Sequence, residues 1–221
     1  MKKIIKNRQS GFTLIEIAIV LVIIGLLLGG VLKGQEMITQ GKIKNVIADM
    51  NGIQAAYYGY QDRYRAIPGD DAGASGRWGN PAANGATVGT SRIDGLYNAS
   101  DVTAETTLFW AHLRAAGFIP GPGSGAGSNT QPINAVGGML GVQNAGVLGL
   151  GLGGNIVCSS NLPAKVAQAV DSSMDDGNGT TGQVRAQVLT TGQTNPALMG
   201  APTLAGYVDD GTNEYVVCKQ L

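Results

Sequence analysis

The sequence predicts an α+β protein. One long N-terminal helix has its first half in a membrane and packs its second half on a small globular head with an antiparallel sheet. Three observations carry that expectation. Residues 12–32 hold a single ionisable side chain, Glu16, and an apolar run of about 20 residues is what a helix needs to cross the hydrocarbon layer. Ile43, Val46, Ile47, Met50, Ile53, Tyr57, Tyr60 and Tyr64 then recur at steps of three and four, one face of a helix. Beyond Pro68 the apolar segments become short and punctuated by glycine, as strands and tight turns are.

The start of the chain is basic. Lys2, Lys3, Lys6 and Arg8 precede the apolar run with no acid among the first eleven residues, which holds the N-terminus on the cytoplasmic side. A secretory signal peptide would end in small residues at a cleavage site. Here Gly29-Gly30-Val31-Leu32-Lys33-Gly34 follows the core, with no Ala-x-Ala. A plain signal anchor explains the charges and the run but gives no reason for Gly11 or for a carboxylate inside the span.

The residues Gly11-Phe12-Thr13-Leu14-Ile15-Glu16 resemble, position for position, the cleavage and methylation motif of type IV prepilins and type II secretion pseudopilins. The resemblance covers roughly the first fifty residues and needs a basic leader, a glycine, an aromatic residue, a glutamate and a span to coincide. It implies that residues 1–11 are a leader, removed between Gly11 and Phe12 by a prepilin peptidase, and that the new amine of Phe12 is methylated. It also implies that Glu16 pairs with the Phe12 amine of a neighbouring subunit, since an unpaired carboxylate in a medium of low dielectric costs several kcal/mol.

The fold implied is pilin-like: helix 12–65, about 12–32 of it in the membrane, and a head over 66–221. The function implied is that of a major or minor pilin in a type IV pilus-like filament. A type II secretion pseudopilin is one alternative, and an adhesin or ligand-binding minor pilin at a filament tip is another. The partners implied are other pilin copies and the inner-membrane assembly machinery. The place is the bacterial inner membrane with a periplasmic head, then an extracellular pilus or periplasmic pseudopilus. Pilins of this kind often carry proline where Lys33 stands. Here a glycine cluster at 25, 29, 30, 34 and 41 takes the neighbourhood, with small-xxx-small spacing that lets helices approach closely in lipid.

The 221 residues suffice for one domain with its own core. Fifteen basic residues match fifteen acidic ones. Loss of the four leader cations leaves a mildly acidic chain, so nucleic acid, which wants a clustered basic face, is not an expected partner. Cys158 and Cys218 are the two cysteines; an even count in an oxidising compartment predicts a disulfide, as type IV pilins similarly carry near their C-terminus. No nucleophile–base pair and no histidine–cysteine metal cluster can be assembled, so the chain does not read as an enzyme.

Along the head, Pro68 ends the long helix, and residues 69–96 read as an ordered surface loop anchored by Trp78, with Asp70-Asp71 as a solvated turn. A second helix is capped by Ser100 or Asp101, buries Leu108, Phe109, Leu113 and Ala116, and stops at Gly117; His112, the sole histidine, is placed on its surface. Residues 120–129 form a Gly/Pro/Ser-rich loop, and strands are expected over 135–142 and 145–157. The glycine run 149–154 lacks the lysine and the strand–turn–helix setting of a phosphate cradle. A third helix follows, capped by Ser160 or Asn161 with Pro163 in its first turn. Its buried side is Val166, Ala169, Val170 and Met174, and Asp175-Asp176-Gly177 ends it. Further strands are expected over 183–189 and 207–218, the latter containing an Asp209-Asp210-Gly211 turn. At the end of the third helix Asp171, Asp175, Asp176 and Asn178 offer oxygens for a calcium ion; the competing reading is a polar turn whose amides the aspartates bind. No other cofactor is expected.

Overall fold

The computed structural model describes residues 11–79, 89–189 and 206–221. Helix α1 runs Leu14–Tyr64, continuous through all five glycines at 25–41, whose missing side chains face open space. It ends where the sequence places its end. Arg65 takes the left-handed conformation at φ 55°, and Pro68 bars another turn. The chain divides into two units, residues 1–41 and 42–221. In the first, the described apolar side chains are exposed, from Phe12 and Leu14 to Met37 and Ile38. In the second, Ile43, Val46, Met50, Ile53, Ala56, Tyr57 and Tyr60 are buried, with Ile47 and Tyr64 packed beside them. The stripe read from the sequence is therefore the head's core face.

The head adds α2 (Ala74–Trp78), α3 (Glu105–Ala115), β1 (Leu140–Asn144), β2 (Asn155–Pro163), α4 (Ala164–Met174), β3 (Val184–Leu189) and β4 (Glu214–Gln220). The four strands form one antiparallel sheet in the order β1-β2-β4-β3. The last strand of the chain thus lies inside the sheet, and Lys219 ties it to α1 by donating to Asn51 Oδ1 at 3.0 Å and Gln54 Oε1 at 2.8 Å. One core joins α1, α3, α4 and one face of the sheet. A smaller one, with Tyr97, Leu150, Ile156 and Val216, surrounds Cys158 and Cys218. These cysteines face each other across β2 and β4 and are disulfide-bonded.

Several boundaries differ from the sequence reading, each for a local reason. The strand expected over 145–157 begins only at Asn155, because Ala145 to Gly154 is a turn closed by the Ala145 amide donating to the Gly154 carbonyl at 2.8 Å. Leu150 plugs this turn from within, fully buried, and Gly149 lies where a Cβ would fall 2.5 Å from the Ala145 backbone. The strand expected from 135 begins at Leu140. Asn134 accepts from the amides of Val136 and Gly138 and so turns that segment. Ser160 and Asn161 do not cap α4. Pairing of Leu162 with Tyr215 and of Pro163 with Glu214 keeps them in β2, which passes into the helix with no side-chain cap. Of α4's expected buried side, Val166 and Val170 are buried, Ala169 and Met174 half-buried, and Ala167 joins them. Likewise Asp101 folds its carboxylate onto Thr103, and α3 starts at Glu105 without a side-chain cap. Its C-terminus matches expectation. Gly117, at φ 79°, donates to the Arg114 carbonyl, and Phe118 to Leu113, the Schellman arrangement. The expected strand 207–218 is β4 alone, preceded by the Asp210 turn.

Candidate functional site

The first turn of α1 is a reciprocal cap. Thr13 precedes the helix, and its Oγ1 accepts from the Glu16 amide at 3.3 Å. The Glu16 carboxylate reaches back, and its Oε2 accepts from the Thr13 amide at 2.8 Å and from Thr13 Oγ1 at 2.6 Å. This is a capping box, which satisfies two of the amides that a helix start leaves unpaired. The sequence carried its signature, Thr-x-x-Glu before an apolar run, and the reading of Glu16 as a charge in the span passed over it. The cap fixes the direction of Glu16. Its carboxylate points back to the helix start, onto Thr13, and among the described residues Oε1 takes no hydrogen bond. Phe12 is 84 % exposed, and a Cβ on Gly11 would meet open space. Residues 1–10, with the four leader cations, lie outside the described residues. The helix that follows is long and apolar enough to cross a membrane.

A second assembly of carboxylates closes the end of α4. Asp171, Asp175 and Asp176 bring one oxygen each within 4.8 Å of one another. Asp175 and Asp176 are exposed; Asp171 is fully buried. Asp175 Oδ2 accepts from the amides of Gln183 and Val184. Asp176 accepts from the Asn178 amide at 2.8 Å and Thr181 Oγ1 at 2.6 Å. Asp171 Oδ2 accepts from the Tyr207 hydroxyl at 2.6 Å, while its buried Oδ1 has no hydrogen-bond partner among the described residues. Burial is the main reason its carboxyl is held above the usual range. The side chain of Asn178 turns elsewhere, its Oδ1 accepting from the Thr180 amide and hydroxyl.

A polar cluster that the sequence reading missed lies where residues 67–78 cross α1 and α3. Asp70 and Asp71 are buried, not a solvated turn. Asp70 accepts from the amides of Gly89 and Ser91, and Asp71 from the Tyr60 hydroxyl at 2.6 Å, the Gly73 amide at 2.8 Å and Arg77. His112 is fully buried, not on the helix surface. Its Nδ1 accepts from the Gly69 amide at 2.9 Å, and its ring stacks on Tyr60 at 6.2 Å. Burial pushes its pKa down to about 4, so the ring is neutral. The helical period could have placed it, since 112 lies four residues from Leu108 and three from Phe109, both buried. Trp78 does anchor the loop, half-buried with its ring 5.2 Å from that of Tyr64. Glu105 is buried too, its Oε2 accepting from the Asp94 amide at 2.7 Å. Burial first, with Asp70 and Asp94 adding, raises its pKa to about 7. These bonds rivet the loop to both helices.

Residues 6–32 match the family described as the prokaryotic N-terminal methylation motif, the prepilin-type signature of type IV pilins. No curated protein and no solved structure matches the chain. The long apolar helix and the α+β head with its four-stranded antiparallel sheet have a pilin-like architecture.

Proposed function

We propose that this chain, bearing a prepilin-type methylation signature, is a structural subunit of a type IV pilus-like filament. The observation that carries the reading is the placement of Glu16. It is the only charge among residues 12–32, and a capping box turns its carboxylate back onto Thr13, next to the residue where the prepilin-type motif puts the cleaved, methylated N-terminus. Residues 1–11 are removed by a prepilin peptidase in the bacterial inner membrane, and Phe12 is N-methylated. The helices then bundle, each Glu16 neutralised by the Phe12 amine of another copy in lipid-like surroundings. The protein acts by assembling, not by catalysis. Mass spectrometry should find a chain that starts at methylated Phe12, and an intact leader or a cut near Gly30 overturns the reading. Glu16→Ala should be inserted and cleaved but enter sheared filaments poorly. Absence of the wild-type chain from sheared filaments, together with a secretion defect, replaces the pilus by a type II secretion pseudopilus.

We also propose that a calcium ion closes the end of α4. The buried Asp171 oxygen without a partner supports this reading, because hard cations take several oxygens in a flexible loop and an unpaired buried carboxylate is costly. Asp171, Asp175 and Asp176 would hold the ion; Asn178, bonded to Thr180, is left out of this set. Calcium should raise the unfolding midpoint of the full chain and chelator lower it. Asp171→Asn should abolish the difference, and an unchanged wild-type midpoint leaves the turn as a hydrogen-bonded structure only.

A further inference from the structure

We propose that Asn178 is an acceptor for N-linked glycosylation, taking a sugar from a polyprenyl-diphosphate-linked oligosaccharide. The sequence Asp176-Gly177-Asn178-Gly179-Thr180 contains an Asn-x-Thr acceptor pattern with no proline between. A three-letter pattern recurs by chance, so its structural setting decides. Asn178 is exposed on the turn after α4. Its Oδ1 accepts both the amide of Thr180 at 3.2 Å and the hydroxyl of Thr180 at 2.8 Å. The second bond is the one that distinguishes a threonine or serine at this place from other residues, since it needs a hydroxyl to donate it. Two donors on Oδ1 draw charge from the carboxamide and make its nitrogen easier to deprotonate. They also fix which end is used, leaving Nδ2 with no hydrogen-bond partner among the described residues.

The chain has a second pattern of the same kind, Asn98-Ala99-Ser100, which serves as an internal contrast. Asn98 is half-buried beside the buried Tyr97. The two sites share the pattern and differ in exposure, so the inference assigns modification to Asn178 alone.

The chemistry is a substitution without redox change. Nδ2 of Asn178 forms a bond to the sugar's anomeric carbon as that carbon's bond to the diphosphate oxygen breaks. The polyprenyl diphosphate leaves with the electron pair, and one Nδ2 proton passes to a carboxylate of the transferase. The inference rests on the proposed topology, which puts the head on the membrane face opposite the basic leader.

Tryptic mapping of the full chain purified from its own cells tests it, because Asn178 and Asn98 fall on separate peptides, 166–185 and 93–114. The expected result is a saccharide mass on 166–185, lost in Asn178→Gln and in Thr180→Ala and retained in Thr180→Ser, with 93–114 unmodified. An unmodified 166–185 peptide overturns the proposal. So does a saccharide that persists in Asn178→Gln, which would be linked to a hydroxyl, or one found on Asn98 instead. The N-terminal peptide of the same digest reports leader removal independently. A glycosylated chain with an intact leader overturns the filament reading and keeps this one, and a processed chain without sugar does the reverse.

Discussion

Two buried groups of opposite kind, Glu105 and His112, sit two helical turns apart on α3, and their titrations oppose each other. His112 binds its proton only near pH 4 in the folded chain, against an ordinary 6.5. The unfolded chain therefore holds more protons between those values, and the His112 contribution is lost as pH falls through them. Glu105 behaves in the other sense. Its folded pKa is about 7 against an ordinary 4.5, so the folded chain holds the extra proton and stability falls as pH rises from 4.5 to 7. Where the windows overlap, from 4.5 to 6.5, the slopes offset. Denaturant titration of the full chain in detergent should show a flat stability over that range. Glu105→Gln should unmask a stability that rises with pH, and a flat profile in that variant shows that His112 is not held neutral. At the N-terminus, Thr13→Ala removes the cap's hydroxyl and should cost the first turn about 1 kcal/mol, read as faster amide exchange at Leu14–Glu16.

Elements end where backbone geometry compels them to. The Schellman close of α3 needs Gly117 in the left-handed region at φ 79°. Gly117→Ala should therefore lower head stability by about 1–2 kcal/mol, visible as a lower thermal midpoint, while Ala115→Gly should lower it only through helix propensity. Gly117 was legible in the sequence because a glycine after an amphipathic run is a strong stop. The ends of β1 and β2 were not. Residues 145–154 are apolar enough for a strand, and only the packing of Leu150 and Gly149 makes them a turn. Ser160 and Asn161 have the side chains of caps, yet the pairing of Ser159 and Leu162 with β4 on either side keeps them in β2 as an irregularity of the ladder. His112 and the Asp70-Asp71 pair were misplaced because polarity was weighed above period. What buried them was a set of partners, Gly69, Tyr60, Arg77 and the amides of 89 and 91, that no local window contains.

For the molecule as a whole, the disulfide Cys158–Cys218 closes a loop of sixty residues and joins the two central strands. In the chain-entropy account such a closure contributes on the order of 4 kcal/mol. Cys218→Ser should lower the denaturation free energy of the full chain by a few kcal/mol, and an unchanged value under oxidising conditions would show that pairing in the sheet suffices. The long helix, the fold class and the presence of this bond were legible because each rests on composition and period. Which acids meet, and which oxygen among them lacks a partner, depends on tertiary placement. It became visible only with the coordinates.

The position of β4 has a consequence for the order of events during synthesis. Its seven residues leave the ribosome after β2 and β3, yet they form the bridge between them. Leu221 itself donates its amide to the Asn155 carbonyl at 2.9 Å. Until β4 has emerged, the β1–β2 pair and β3 each keep an open edge, while the apolar helix has long since emerged. Anchoring precedes closure, and a chain cut short before β4 is left tethered but unfinished, its open edges marking it for proteolysis. Stopping the chain at Asn213 should give a protein that inserts normally and is degraded far faster than the full-length one in a pulse–chase.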